Sequence, residues 1–429
     1  MKQYLLILIG LLCTVAAYAG IDMQAHVASD EGRSAYTTYL SRQTAYYSGN
    51  YLYTMLVQQD GDRLFGTLNE LMGNTCRISG SGFSYNSLRN AYVNVDRDLN
   101  KAGNIIGYYD GSTMNGTWDG AKTYNREHTW PQSKGADKGT AMGHDMQSVR
   151  PASVKVNSDR GNTGYGESNG YYDPNEVSIS NSDYKAVNNG TYRGDCARVI
   201  LYDYVVYGEA GGYKSGLYNG NAQLLSKLGS AKDGVFESVE VMLKWHMQDP
   251  PSLTEMVRND GGQDYQGNRN PFIDWPELAV QVLRNEVTTY SVSSNQTLAP
   301  AYRLTTKHGF VAYLTNGAGE HPHQVEVTGA RYRYEEGLGR LTVTDVTDNV
   351  EVTTDMPSAL ATLEESKVDY YVAGNRLVVS HAGDAPVEVY TLSGQRMQSG
   401  TGMTEYEWTL PRGVYVLRAG NYAGKIVIY

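Results

Sequence analysis

Apolar residues recur at three- and four-residue steps through residues 33–75: Tyr39, Leu40, Leu52, Met55, Leu56, Leu64, Phe65, Leu68, Leu71 and Met72. That period belongs to helices with one buried face, and Gly49 and Gly61 interrupt it. Residues 83–98 have the form of another helix, and 105–109 that of a short strand. Residues 124–130 are few, aromatic and stopped by Pro131, which predicts a strand. A Gly/Lys-rich loop follows over 132–143, then a second short strand over 146–149, stopped by Pro151. Ser153 stands where it can cap a helix carrying Val154, Val156 and Asn157. Residues 163–193 are rich in Gly, Asn, Ser and Asp and predict a long surface loop. Residues 197–207 and 235–246 predict buried or amphipathic helices, with Trp245 and Trp275 as core anchors.

Near residue 290 the pattern shifts from helical steps to alternation. Residues 291–300 are Ser/Asn/Pro-rich and predict a linker. Beyond it, short β-branched runs such as 311–314, 325–327, 341–343, 350–352, 376–379, 387–390, 413–417 and 425–428 are separated by turn residues. A weak repeat runs through them. Arg340-Leu341-Thr342-Val343 precedes Asp348 and Val350-Glu351-Val352, and Arg376-Leu377-Val378-Val379 precedes Asp384 and Val387-Glu388-Val389. The expected class is α+β: a mainly helical body, then all-β sandwich modules. The expected divisions are 1–19, 20–290, 291–300 as linker, 301–358 as a small β module, and 359–429 as a C-terminal β-sandwich.

Residues 1–19 have the form of a secretory signal, with Lys2, an apolar core from Leu5 to Val15, and Ala17-Tyr18-Ala19 as cleavage site. No other segment approaches the roughly 18 apolar residues of a membrane span. A product outside the cell or on its outer surface is expected, without an integral membrane segment and as a monomer. Cys76 and Cys196 remain after the signal; one disulfide or two buried thiols are both open.

Charge matters because it is uneven. The chain carries a net −10, yet residues 121–160 hold seven Lys/Arg against four Asp/Glu, a local +3. Such an island in an acidic chain suggests an anionic substrate. Within it lies His128, whose ordinary pKa of about 6.5 suits proton abstraction from water. Glu127 and Asn157 are hard oxygen donors. Two such donors suit Mg²⁺, which keeps several waters and takes other ligands from phosphate; Ca²⁺ or Mn²⁺ are alternatives.

Arg126-Glu127-His128-Thr129-Trp130-Pro131, Asp145-Met146-Gln147-Ser148-Val149-Arg150-Pro151 and Asn157-Ser158-Asp159-Arg160-Gly161-Asn162 occur in this order. With Gly194-Asp195-Cys196-Ala197-Arg198-Val199 and Gln266-Gly267-Asn268-Arg269-Asn270-Pro271-Phe272, this segment resembles the endonuclease I family of secreted, non-specific nucleases, across roughly residues 35–290. The resemblance implies a ββα-metal (His-Me) finger, with His128 as general base and Glu127 and Asn157 holding one divalent ion. It implies hydrolysis of DNA and/or RNA with 5′-phosphate products, bound through the phosphate backbone. Where relatives often have Asp-Leu-His, this chain has Asp145-Met146-Gln147, and Gln147 cannot carry charge. Arg160 and Arg126 are candidates for steadying the cleaved phosphate, and Lys134, Arg150 and Arg160 for binding substrate. Arg269 and Asn268 read better as loop braces. Val389-Tyr390-Thr391-Leu392-Ser393-Gly394-Gln395 and Pro411-Arg412-Gly413-Val414-Tyr415-Val416 resemble the sorting modules of the type IX secretion route, which implies a partner in the secretion machinery. A second reading is an inactive cell-surface protein that binds nucleic acid or polysaccharide.

Overall fold

A computed structural model describes residues 30–175, 192–314, 320–355, 368–373, 375–381, 386–391, 395–403, 405–419 and 422–428. The expected signal at 1–19 and residues 176–191 of the expected surface loop lie outside the described residues. The chain forms two compact units, Met1–Met356 and Pro357–Tyr429.

The first unit begins with helices α1 (Asp30–Tyr46), α2 (Tyr53–Leu56), α3 (Gly61–Thr75) and α4 (Tyr85–Val95). Gly49 and Gly61 do separate the first three, each in the left-handed region that other residues avoid. Short strands β1 (Asn104–Ile106) and β2 (Thr113–Asn115) pair antiparallel. Then come β3 (Tyr124–His128), β4 (Val149–Ser153) and α5 (Val154–Arg160). Helices α6 (Arg193–Tyr207), α7 (Val239–Gln248), α8 (Leu253–Gln266), α9 (Pro271–Asp274) and α10 (Leu278–Val282) complete the helical body. Of these, α6 is buried along nearly its whole length and forms the axis of the core. Trp245 and Trp275 are core residues, as the pattern suggested.

The second strand of the finger lies three to four residues further on than expected, and Pro151 sits inside it, opposite Arg126. The reason is its orientation. The Pro151 carbonyl accepts from Tyr108 N–H (2.7 Å), on the side away from β3, so the missing proline N–H removes no ladder bond. In the expected loop, Tyr165 is buried and donates its N–H to the Val235 carbonyl (3.1 Å), so residues around it belong to the core. Cys76 and Cys196 form no disulfide. Cys196 is buried and accepts from the Tyr108 hydroxyl (3.2 Å).

The segment expected as linker is strand instead. Residues β5 (Tyr290–Ser294) and β6 (Leu298–Ala299) open a sandwich with β7 (Leu304–Thr305), β8 (Phe310–Leu314), β9 (Val325–Thr328), β10 (Arg331–Glu335), β11 (Arg340–Thr344) and β12 (Val350–Thr354). One sheet runs β10-β11-β8-β6 and the other β7-β5-β12-β9. Strand β8 is buried on both faces, which alternation explains. Phe310, Ala312 and Leu314 point into the sandwich with Leu341, Val343 and Val352. Val311 and Tyr313 cluster with Tyr39 of α1, Leu253, Met256 and Val257 of α8, and Ile273 of α9. The sandwich therefore completes the core of the helical body.

In the second unit, sheet β13-β14-β17 (Val368–Ala373, Arg376–His381, Glu405–Thr409) faces β16-β15-β18-β19 (Arg396–Gly400, Val387–Thr391, Gly413–Ala419, Tyr422–Ile428). Leu377, Val379, Val389, Leu417, Ile426 and Ile428 fill the space between. The sequence repeat has a structural meaning here. In each sandwich the Arg-initiated strand (β11, β14) lies in one sheet and the Val-Glu-Val strand (β12, β15) in the other.

Two measurements test this packing. Uncovering Leu253, Met256, Val257 and Ile273 forfeits roughly 1.5–3 kcal/mol each at full exposure, comparable in sum with the ~5–15 kcal/mol of a whole domain. A chain ending at residue 290 is therefore expected to lose its cooperative thermal transition, and one ending at 356 to keep it. The second concerns Glu277, buried and accepting from the Tyr53 hydroxyl beneath Trp275. Burial pushes its carboxyl up to about 7. Between its ordinary value, near 4.3, and 7, the folded chain holds a proton that the unfolded chain has released, so stability declines as pH rises through that window. Glu277→Gln is expected to flatten the decline in urea denaturation series between pH 5 and 8.

Candidate active site

Strand β3 pairs with β4 alone, with Glu127 opposite Arg150 and His128 opposite Val149. Alternation places Asn125 and Glu127 on one face and Arg126 and His128 on the other. Because the second edge of β3 has no strand partner, a ligand along that edge can meet side chains from both faces.

His128 is 4% exposed. Its Nε2 lies 2.9 Å from the Gly143 carbonyl oxygen, and only a protonated nitrogen can bond there. That assigns the proton to Nε2 and the lone pair to Nδ1, which accepts from Gln132 Nε2 (3.2 Å). Gln132 is exposed, so its amide can be displaced. Burial lowers the His128 pKa to about 4, so the ring is neutral at neutral pH. Gly143 must be glycine: a Cβ there would collide with the Asp137 carbonyl and shift the acceptor that orients the ring. Tyr85 of α4 stacks on the imidazole, with centroids 5.3 Å apart and planes at 27°.

Glu127 is 3% exposed. Its Oε1 accepts from the Tyr109 hydroxyl and from Arg160 Nη1 (2.8 Å), and the His128 backbone N–H also bonds the carboxylate. Burial pushes its carboxyl above the ordinary range, against the pull of the Arg160 guanidinium. Tyr109 reaches it from a left-handed backbone (φ 78°), which is strained for a tyrosine. Asn157, on α5, donates through Nδ2 to Asn125 Oδ1, so its side chain lies on the Glu127 face of β3. The Asn157 Oδ1 takes no hydrogen bond among the described residues. Glu127 and Asn157 contribute one carboxylate and one amide oxygen on the same face of β3, a donor set that fits a hard divalent ion that retains waters. Among the described residues no group of three or more His, Cys, Asp or Glu is placed to hold a metal.

The basic candidates fare differently. Arg160 is 1% exposed and fully engaged: beyond Glu127, it donates to the carbonyls of His128 and Thr129 (both 2.8 Å) and lies over the Tyr165 ring (4.7 Å). These contacts occupy its donors inside the protein, against the two roles expected of it, steadying the cleaved phosphate and binding substrate. Arg150 is buried over Tyr108 between Asp96 (3.7 Å) and Asp195 (3.6 Å). Lys134 is buried and donates to the Gly234 and Ala231 carbonyls; burial lowers its pKa to about 8. Both are held by partners inside the protein in this arrangement. Lys155 pairs with Asp159 (2.7 Å). Of the seven cations of the +3 island, Lys134, Arg150 and Arg160 are buried, Arg126 is half-buried, and Lys122, Lys138 and Lys155 are exposed; Lys122, Arg126, Lys134 and Lys138 have no carboxylate partner among the described residues.

The polar motif residues are braces. Asp145 accepts from Tyr202 Oη (2.6 Å), Tyr207 Oη and Gln266 Nε2 (2.6 Å). Gln147 donates to Asn259 Oδ1 (3.0 Å) and is buried. Arg269 bonds Asp274 (2.8 Å) and Asp260 (2.6 Å), and Asn268 donates to Tyr202 Oη (2.7 Å), as expected of loop braces. Linear inspection missed Tyr85, Tyr109, Gln132, Gly143 and Asn125. For Asn125 a signal existed, since it stands two residues before Glu127 on the same strand face. The others come from distant segments or from backbone geometry.

The sequence model of the Endonuclease I family matches residues 66–277. The chain is 34% identical to an extracellular ribonuclease of Bacillus amyloliquefaciens over 211 residues, 48% of this chain and 70% of that protein. It is likewise 34% identical to an extracellular ribonuclease of Bacillus subtilis (strain 168) over 235 residues, 52% of this chain and 74% of that protein. The chain belongs to the endonuclease I family, and is a nuclease whose substrate is nucleic acid.

Arg160→Met removes the cation paired with buried Glu127, which typically costs roughly 3–5 kcal/mol. The expected outcome is a loss of that size in urea denaturation. Unchanged stability with a shallower salt dependence of binding would return Arg160 to the substrate.

Proposed function

We propose that the chain is an extracellular, metal-dependent endonuclease that hydrolyses phosphodiester bonds of DNA and/or RNA with little sequence preference. The observation that carries this is the His128 geometry: with Nε2 tied to Gly143, Nδ1 is a neutral, oriented base. A water displacing the Gln132 amide would give its proton to Nδ1 as its oxygen attacks phosphorus. The bond to the 3′ oxygen then breaks, leaving a 5′-phosphate and a 3′-hydroxyl once that oxygen takes up a proton. Glu127 and Asn157 would hold the divalent ion, Mg²⁺ in the first instance, with Ca²⁺ or Mn²⁺ as alternatives. When bound, the ion supplies charge stabilisation for the pentavalent phosphorus and the leaving oxygen. Arg126, on the His128 face, is the remaining candidate for a phosphate contact; Arg160 and Tyr109 hold Glu127 in place.

Placement outside the cell is supported by the apolar N-terminal segment and by the extracellular relatives. No helix of the described residues is long and apolar enough to cross a membrane. The terminal sandwich is read, from its resemblance, as an export or attachment module engaging the secretion machinery. The relatives' name favours RNA among the substrates.

Plasmid nicking and RNA degradation, with and without EDTA, test the reading. Cleavage is expected on at least one substrate and is expected to stop on chelation. His128→Ala should lower the rate about 10²–10⁴-fold, the usual contribution of a general base, with substrate binding retained. Near-wild-type rates in that variant would exclude His128. Binding without cleavage in the wild-type chain would favour the inactive binding protein.

A further inference from the structure

Arg126 and His128 stand two residues apart on β3 and so share one face, roughly 6.6 Å apart along the strand. One aromatic ring fits between two such side chains, and Tyr85 supplies it. Its ring stacks on the His128 imidazole, with centroids 5.3 Å apart and planes at 27°, and the Arg126 guanidinium carbon lies 3.6 Å from its centre. The stack is held at both ends. Arg126 donates through Nη1 to the Tyr85 carbonyl (2.6 Å) and to Asn86 Oδ1 (3.2 Å), and lies over Trp118 (5.0 Å). Tyr85 opens α4, where Ser84 and Ser87 form a capping box. The Ser87 hydroxyl meets the Tyr265 hydroxyl of α8 (2.7 Å), and Phe83 packs edge-on against the Tyr265 ring (5.2 Å). Helix α8 therefore fixes the first turn of α4, and that turn fixes the ring.

A hydrogen bond fixes a point, not a plane. With Nε2 held by the Gly143 carbonyl, the imidazole can still pivot about the line from Cγ to Nε2, which swings Nδ1 out of line. A flat neighbour on the ring face stops that pivot. Gln132, the partner of Nδ1, is exposed and gives way to water, so it does not hold the plane. We propose that Tyr85 is a positioning residue for His128: its ring, clamped by Arg126, sets the plane in which Nδ1 meets the attacking water. This rests on the nuclease reading above and adds to it a residue from outside the finger.

The test measures kcat and KM of the full chain on one oligonucleotide sequence, as RNA and as DNA, at saturating Mg²⁺. Tyr85→Leu is expected to lower kcat about 10- to 100-fold, the scale of a reacting group held slightly out of place, with KM within about two-fold of wild type. Tyr85→Phe keeps the stacked ring and should hold kcat within about three-fold. Because the effect runs through His128, Tyr85→Leu should change the residual rate of a His128→Ala chain by less than about two-fold, the non-additivity of two residues acting as one unit. Tyr85→Met takes the place of Tyr85→Leu if that variant lacks a cooperative thermal transition. Four results would overturn the positioning role while the nuclease reading stands: unchanged kcat in Tyr85→Leu, an equal fall in Tyr85→Phe, a change confined to KM, or the full loss repeated in the His128→Ala chain. No cleavage of either substrate by wild type would overturn the nuclease reading, and the positioning role with it.

Discussion

The buried pairing of Arg160 with Glu127 is the contact on which the site depends. A carboxylate this buried is unfavourable alone, and so is a guanidinium; each makes the other tolerable. Such a pair adds little net stability compared with an apolar substitute, but it dictates geometry. Arg160 also binds the carbonyls of His128 and Thr129, so one side chain registers both the carboxylate and the backbone of neighbouring His128. Asn157 stands one helical turn before it on α5. A seven-residue helix thus brings the second oxygen donor and the clamp for the first.

Beneath the finger lies a polar core. Asp145, Tyr202, Tyr207, Gln266 and Asn268 form one hydrogen-bonded group, and Arg258 joins Asp96 (2.7 Å) to the Met146 carbonyl. Gly267 ends α8 in a left-handed turn tight against the Thr75 carbonyl, where a Cβ would not fit. These motif residues hold the loop between β3 and β4 from below, and that loop supplies the Gly143 carbonyl to His128. Their bonds are to one another and to the backbone, so these buried polar groups hold the position of the loop.

The first sandwich extends the same logic. Strand β8 turns one face to the interior of its sandwich and the other to α1, α8 and α9, so the helical body and the strands that follow share a core. Composition shifts at residue 290 because the secondary structure changes there, not because folding units do. The unit boundary falls later, after Met356.

Much was legible in the sequence because it is periodic or local. Helical steps marked α1, α3, α4, α6 and α7, alternation marked the strands after 300, and the order of short motifs identified the endonuclease I family. His128, Glu127 and Asn157 stood out as candidate base and oxygen donors, and they lie on one ribbon and its adjoining helix. What the sequence could not decide was which charges face water. Arg160, Arg150 and Lys134 look like an anion-binding cluster when counted along the chain, but Asp96 and Asp195 lie outside the counted stretch and Glu127 needs its own partner. Linear charge density is blind to contacts across 30 to 60 residues, whereas burial makes pairing obligatory. The lone pair on His128 Nδ1, the left-handed Tyr109 and the stacking of Tyr85 and Trp118 on Arg126 are likewise tertiary decisions, because each requires segments far apart in sequence to meet within hydrogen-bonding or van der Waals distance.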